Sequence, residues 1–233
     1  MRSLLAGFLA FSCLAVPGDA QEVLSETDRT FLVEYLLRTQ RIFRDEISGL
    51  TEEQWRFKPL PQRWSVAECA EHIVLAERWL MSQFREAFAK TPEPAYIFHW
   101  RKPRPRPEDF RAVPRSERAA AYRDRIARET DRSTVDPSRP PEGDPPEASL
   151  APAFRYSAPE EAITALDAVR GETLEFVRTT RLDLYNNYVY PGTSTLLLDG
   201  FEYLLRVPAH AERHIAQMEE VKAHARFPSQ PGR

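Results

Sequence analysis

The chain has 233 residues, a formal net charge of −3 at pH 7 and an isoelectric point near 6.0. This charge balance gives no electrostatic argument for binding nucleic acid or an anionic membrane. Charged residues make up 29% of the chain and apolar residues 42%, which is typical of a soluble globular protein long enough for one well-packed domain.

The first twenty residues have the pattern of a secretory signal peptide. Arg2 precedes an apolar run over residues 4–16, and small residues precede a cleavage site predicted after Ala20. The mature protein is therefore predicted to be secreted or periplasmic. A lipoprotein modified at Cys13 is the less favoured alternative, because Ala10 occupies the position where such a signal usually has Leu.

Two core helices are predicted before the proline-rich part of the chain. The first runs from about Glu26 to Ser48, where apolar residues recur at helical spacing, and Gly49 follows its end. Thr51–Gln54 has the spacing of a capping box and predicts a short helical turn. A second long helix begins after Ser65, with another capping box, and continues to about Lys90.

Residues 91–156 are predicted to form a long proline-rich insertion between the second and third core helices. Thr91–Pro114 contains six prolines, which predicts an extended, solvated loop. The alternative is that its basic run, Arg101–Arg106, attracts an anionic substrate or partner. Ser116–Asp131 is predicted to be a mainly solvent-facing helix, and Ser133–Tyr156 an irregular connection.

Two further core helices complete the predicted fold. The third spans about Ser157–Thr180, and a polar, aromatic crossover over residues 182–190 follows it. The fourth spans about Ser194–His224 and is bent at Pro208. Four long amphipathic helices without strand patterns predict an all-α, up-and-down four-helix bundle, with residues 21–233 as a single domain.

Histidines on the fourth helix form the candidate site. His210 and His214 are four residues apart on one helix face, a spacing that lets two imidazoles reach one metal ion. His72 lies beside the apolar stripe of the second helix and is the candidate third donor. A lone histidine beside an apolar face is more often packed and hydrogen-bonded, so a structural role also remains open. Three neutral imidazoles favour zinc, nickel or another late divalent metal, with positions left open for substrate.

Several segments resemble the DinB-like superfamily. They are Leu50–Trp55, Phe57–Pro59, Trp64–His72 and Pro208–Met218. The similarity covers roughly Glu26 to Arg226, with a proline-rich middle that is longer than usual. The resemblance implies a four-helix bundle that holds a metal through one histidine of the second helix and two of the last. These correspond to His72, His210 and His214.

The resemblance also limits the expected chemistry. Several members of the superfamily are thiol transferases that use bacillithiol, mycothiol or glutathione, and others resemble metal-dependent hydrolases. An open divalent site can deprotonate a thiol or activate water, so a thiol S-transferase or a hydrolase is expected. The alternative is a non-catalytic periplasmic protein that binds metal or a small ligand.

The expected partner is a small-molecule substrate, which the transferase hypothesis makes a thiol. Nucleic acid is not expected, nor is a membrane once the signal peptide is cleaved. Members of the superfamily often form homodimers, although no helix stripe in this sequence is clearly left over for a partner.

The remaining candidate residues have less specific signals. Gln217 belongs to the C-terminal motif and either supports a metal ligand or simply packs. Cys69 is the only cysteine left after cleavage and is interpreted as a small buried residue, with a ligand or redox role as the alternative. His99 and His224 are predicted to be surface residues. Glu68 is assigned a capping role, and no catalytic residue is identified.

Overall fold

The computed structural model describes residues 24–89, 150–185, 188–189 and 198–229. Its helices are α1 (Glu26–Ile47), the short α2 (Glu52–Arg56), α3 (Val66–Ala89), α4 (Pro159–Thr179) and α5 (Gly200–Lys222). Two short strands, β1 (Tyr188–Val189) and β2 (Leu198–Asp199), pair in antiparallel fashion with Tyr188 opposite Asp199. This pair leads directly into α5.

Local signals account for the ends of the first helices. The Ser25 hydroxyl accepts the backbone N–H of Asp28 and caps α1. Gly49 follows α1 with φ of +73°, in the left-handed region that glycine adopts without strain. Thr51 and Gln54 form the predicted capping box at the start of α2.

Two helices begin later than the sequence predicts. The fourth core helix was expected from Ser194, but Asp199 and Glu202 form a reciprocal capping box that starts α5 at residue 200. The third was expected from Ser157, but α4 begins two residues later. The Ser157 hydroxyl and backbone N–H donate to Glu161, four residues along the chain, at 2.8 Å each. In both cases an acidic side chain in the first turn accepts hydrogen bonds from a residue before the helix, and this bonding fixes where the helix begins.

The four long helices form a ring in which α1 and α3 each pack against both α4 and α5. The all-α four-helix bundle predicted from the sequence is confirmed. α3 and α5 run in opposite directions, because Cys69 approaches Gln217 whereas Phe84, farther along α3, contacts Tyr203, which lies earlier in α5. The N-terminal half of α3 therefore faces the C-terminal half of α5.

The direction of α4 departs from the strict up-and-down alternation that the sequence predicts. Glu77 of α3 binds Arg170 of α4, and Phe84 contacts Phe176, so α3 and α4 run the same way. α3 has 24 residues and a length of about 36 Å. The end of α3 and the start of α4 therefore lie at opposite ends of the bundle.

A buried ion pair joins three of the helices. The Arg170 guanidinium donates to the Glu77 carboxylate at 2.8–3.0 Å, and both side chains are almost fully buried. The same guanidinium donates to the Leu36 carbonyl and to the Thr39 hydroxyl of α1. The hydroxyl of Thr173 donates to Glu77. Apolar residues pack above and below this network in two clusters, so the pair lies within the bundle core.

Several predictions fall on residues outside the described ranges. They are the signal peptide (1–20), His99, the basic run Arg101–Arg106 and the helix Ser116–Asp131. The single-domain boundary at residues 21–233 stays a prediction for the same reason. In the ranges that the structure describes, no helix is both long and apolar enough to cross a membrane.

Candidate metal centre

Three histidines meet between α3 and α5. His72 lies in the second turn of α3, and His210 and His214 lie one turn apart in α5. One ring nitrogen from each residue lies within 4.8 Å of the other two. His72 and His214 are buried, and His210 is half-buried. The structure thus brings together all three residues that the sequence singles out.

Hydrogen bonds orient two of the three rings. Nδ1 of His72 lies 3.0 Å from the Leu150 carbonyl oxygen, and Nδ1 of His214 lies 2.8 Å from Oε1 of Gln217. Because both partners are acceptors, each Nδ1 carries the proton and each Nε2 has a free lone pair in the neutral ring. Nε2 of His214 also lies 3.2 Å from Nε2 of His210. The Nε2 lone pair of His214 therefore lies beside the ring of His210.

This spacing fits a divalent metal ion. Two nitrogens bound to zinc at 2.0–2.1 Å with a tetrahedral angle between them lie about 3.3–3.4 Å apart. The observed separation of 3.2 Å between the Nε2 atoms of His210 and His214 is close to that value. Hydrogen bonds from the outer nitrogen to a carbonyl or amide oxygen are also the usual support of metal-binding histidines. The three imidazoles and the hydrogen bonds that orient two of them therefore fit a divalent metal ion.

The Leu150 carbonyl is positioned by Glu71, the neighbour of His72. The Glu71 carboxylate is buried and accepts the backbone N–H groups of Ala153 and Arg155, each at 2.8 Å. The Arg155 guanidinium binds the same carboxylate. These bonds hold residues 150–155 against the start of α3. Sequence reasoning missed this support, because a backbone acceptor 78 residues from His72 leaves no pattern in the sequence.

Trp64 covers part of the centre. Its ring centroid lies 4.8 Å from that of His72 and 5.7 Å from that of His214. Glu68 has the predicted capping role, since it exchanges hydrogen bonds with Ser65, and it also pairs with Lys58 at 2.8 Å. Its carboxylate is therefore engaged at the helix start rather than at the histidines.

Cys69 and Gln217 lie behind His214. Cys69 is fully buried, and its thiol donates to Oε1 of Gln217 at 4.0 Å. Burial raises the pKa of the Cys69 thiol, with the nearby Glu68 carboxylate adding to the shift, so the thiol stays protonated at neutral pH. These contacts agree with the interpretation of Cys69 as a small buried residue, and they give Gln217 a supporting contact to a ring of the centre.

The electrostatic environment keeps the imidazoles neutral. Burial is the main reason that the pKa of each ring lies below its ordinary value of 6.5. The charge of Arg213 lowers the pKa of His210 further, and His210 with Arg213 does the same for His214. Neutral imidazole is the form that binds metals, so the site is in its binding form at pH 7.

Two arginines of α5 lie near the histidines. Nη2 of Arg213 is 3.2 Å from Nε2 of His214. Arg206, four residues before His210, lies with its guanidinium 5.5 Å from the centroid of the Tyr203 ring. His224, near the end of the chain, packs against Phe57 and is not part of the three-histidine cluster.

Comparisons with known proteins agree with this fold. A family model described as the DinB superfamily matches residues 35–218. The chain is also similar to the solved structure of YfiT from Bacillus subtilis, described as a probable metal-dependent hydrolase with an unusual four-helix bundle topology. The TM-score is 0.52 at 12% sequence identity, and the match covers 86% of this chain and 89% of YfiT. No curated protein matches the chain significantly.

Proposed function

The chain belongs to the DinB superfamily, and from this premise we propose that it is a metal-dependent hydrolase whose divalent ion is held by His72, His210 and His214. The observation that carries the proposal is the convergence of three imidazoles, with one ring nitrogen of each within 4.8 Å of the other two, while Leu150 and Gln217 orient the rings of His72 and His214. The description of YfiT, which has the same fold, supports the choice of hydrolysis.

The donor set favours zinc or nickel. Neutral imidazoles are good ligands for both metals, and three of them leave one or two coordination positions for substrate and water. When bound, such an ion supplies a Lewis acid and lowers the pKa of water to about 7. The chain itself orients the three rings and shields one side of them with Trp64.

Hydrolysis is favoured over thiol transfer by the predicted destination of the protein. The signal-peptide pattern over residues 1–20 supports export to the periplasm or beyond. Low-molecular-weight thiols are chiefly found in reducing, cytosolic compartments. An exported enzyme of this kind is therefore better matched to an ester or amide substrate than to a thiol co-substrate.

The metal site is tested by measuring metal content and affinity in protein purified without a histidine tag. Wild type is expected to bind one zinc or nickel ion per chain. Each of His72→Gln, His210→Gln and His214→Gln removes a ligand and is expected to lower zinc affinity by more than roughly 100-fold, above the range for a supporting residue. His224→Gln, away from the cluster, is the control. The site is rejected if His210→Gln retains the metal content of wild type.

The reaction class is tested by two assays, each with and without added zinc or nickel. Metal-dependent release of nitrophenol from nitrophenyl esters, lost in the histidine variants, is the result expected of a hydrolase. Turnover of a chlorinated aromatic compound only in the presence of glutathione would show a transferase instead. Absence of metal-dependent turnover in both assays would favour the non-catalytic binding protein.

A further inference from the structure

Two tryptophans that precede α3 in the chain have different surroundings. Trp55 is fully buried, and its indole N–H donates to the Tyr156 carbonyl oxygen at 3.3 Å. Trp64 is only half-buried, and within the described ranges no acceptor pairs with its indole N–H. A tryptophan that serves only to fill a core usually buries its ring and finds a partner for this group. Trp55 fits that description and Trp64 does not.

The contacts of Trp64 place it at the candidate metal centre. Its ring stacks on that of His214, with 28° between the two planes, and is tilted by 53° against the ring of His72. Because Trp64 as a whole is half-buried, part of this large side chain stays accessible next to two candidate ligands. Ligand sites commonly combine such an aromatic surface with a few polar or metal-binding groups.

Trp64 is held in place by both of its neighbours in the chain. The guanidinium of Arg63 pairs with Glu220 of α5 at 2.9 Å, and Ser65 exchanges hydrogen bonds with Glu68 at the start of α3. The indole therefore projects from a fixed backbone, and its side chain has only two rotatable bonds. A ligand that packs against such a preformed surface loses little entropy in ordering it.

We propose that Trp64 is a specificity-determining residue of the metal centre and that its indole ring packs against a planar apolar group of the substrate. The indole centroid lies 4.8 Å from that of His72, so an aromatic ring attached to a metal-binding group is large enough to reach it. Offset stacking and edge-to-face contact both stabilise such a pair. This role rests on the proposed function and names its substrate class, an ester or amide with an aromatic or similarly flat group beside the scissile bond.

The role of Trp64 is tested with two zinc-binding compounds, acetohydroxamate and benzohydroxamate, in which a methyl group is replaced by a phenyl ring. Calorimetry on zinc-loaded wild type is expected to show that benzohydroxamate binds more tightly by roughly tenfold or more, because its ring is buried against the indole. Trp64→Leu keeps apolar bulk against the two imidazoles but has no aromatic face. The ratio of the two affinities should therefore fall by roughly 3- to 10-fold, with acetohydroxamate binding unchanged.

Two further variants separate stacking from packing. Trp64→Phe keeps an aromatic ring and is expected to retain most of the preference for benzohydroxamate. Phe31→Leu, at an exposed aromatic residue of α1, is the matched control and should keep the affinity ratio of wild type. A wild-type ratio in Trp64→Leu overturns the role of Trp64, and so does an equal fall of the ratio in Phe31→Leu.

The same samples separate this role from the proposed function. Zinc content is measured before each titration, and the melting temperature shows that each variant is folded. Equal binding of the two hydroxamates by zinc-loaded wild type overturns the role of Trp64 while the metal site stands. A wild type that retains no zinc overturns the proposed function itself.

Discussion

Each of the two buried imidazoles donates its outer N–H to an oxygen, but the two oxygens differ in kind. His72 donates to the backbone of Leu150, whereas His214 donates to the side chain of Gln217. A substitution can therefore remove the second acceptor without altering the first. Cys69 also donates to Gln217, so this amide oxygen receives two donors behind the ring.

Gln217→Leu is predicted to weaken zinc binding. The substitution removes the acceptor that keeps the lone pair of His214 on Nε2, and loss of such a support lowers metal affinity by about 10- to 100-fold. Gln217→Glu keeps an acceptor and is expected to keep the affinity. Competition titration with a chromophoric chelator measures both. Gln40→Leu, which removes a 2.7 Å bond to Asp167 on another face of the bundle, is the control, and the role of Gln217 fails if both leucine variants match wild type.

The metal-free protein is predicted to lose stability as the pH falls below about 6.5. The pKa values of His210 and His214 are well below 6.5 in the folded chain. The unfolded chain therefore binds more protons in acid, and each of these neutral rings costs up to about 1.4 kcal/mol of stability per pH unit below 6.5. Above that pH the contribution of these histidines to stability is complete.

Thermal unfolding in a chelator from pH 7.5 to 5.0 measures this loss. His214→Gln removes one titrating ring, so its melting temperature should fall less steeply over the same range than that of wild type. Parallel curves for the two proteins would contradict the assignment of the loss to the buried ring.

Among the elements, the segment before α4, residues 150–155, links the start of α3 to the candidate metal centre. Leu150 supplies the acceptor for His72, and the next residues are tied to Glu71 through two backbone N–H groups and Arg155. Phe154 adopts φ of +55°, a conformation that is uncommon for a bulky residue. The guanidinium of Arg56 lies 5.5 Å from its ring centroid. A buried carboxylate thus holds a segment with an unusual backbone beside a candidate ligand.

Glu71→Gln is predicted to loosen this segment. Replacing the carboxylate by an amide loses the charge-assisted bonds and lowers the free energy of unfolding by about 1–3 kcal/mol. Hydrogen exchange at the amides of Ala153 and Arg155 should become faster, and zinc binding weaker. Glu172→Gln, in the exposed pair with Arg85, should cost about 0.5 kcal/mol or less. Unchanged exchange at both amides would show that Glu71 does not hold the segment.

At the scale of the whole molecule, stability is predicted to depend on the pair Arg170–Glu77. Glu77→Met leaves the buried guanidinium without its counter-charge and should lower the free energy of unfolding by about 3–5 kcal/mol. The double variant with Arg170→Met is expected to recover much of this loss, because apolar side chains then fill the space. Urea unfolding measures both, with Arg56→Gln from the exposed pair with Glu52 as control. A single variant as stable as wild type would contradict the prediction.

The parts of this fold that local chemistry determines were predictable from the sequence. Gly49 and the capping box of Thr51 act on their own neighbours, and the four-residue spacing of His210 and His214 determines their shared face. The side of α3 that carries His72 followed from its apolar stripe. Each of these depends on residues within one or two helical turns.

The remaining features depend on contacts between distant segments. Arg170 lies on the mainly apolar buried stripe of α4, and the approach of Glu77, 93 residues earlier, makes it a core residue. The direction of α4 relative to α3 is seen only in contacts between the two helices, such as that of Phe84 with Phe176, which no local pattern specifies. Arg213 is one of many charged residues in the sequence, and the rotation of α5 about its axis decides that it reaches His214.

The bond between Leu150 and His72 also makes the end of that connection part of a thermodynamic cycle. The segment that includes Leu150 is stabilised by the imidazole it orients, and the imidazole by the segment. If ion binding tightens the binding of another molecule to this segment by some factor, that molecule must tighten ion binding by the same factor. Ion binding at the centre and binding of another molecule to residues 150–155 would then depend on each other, although the two sites share no residue.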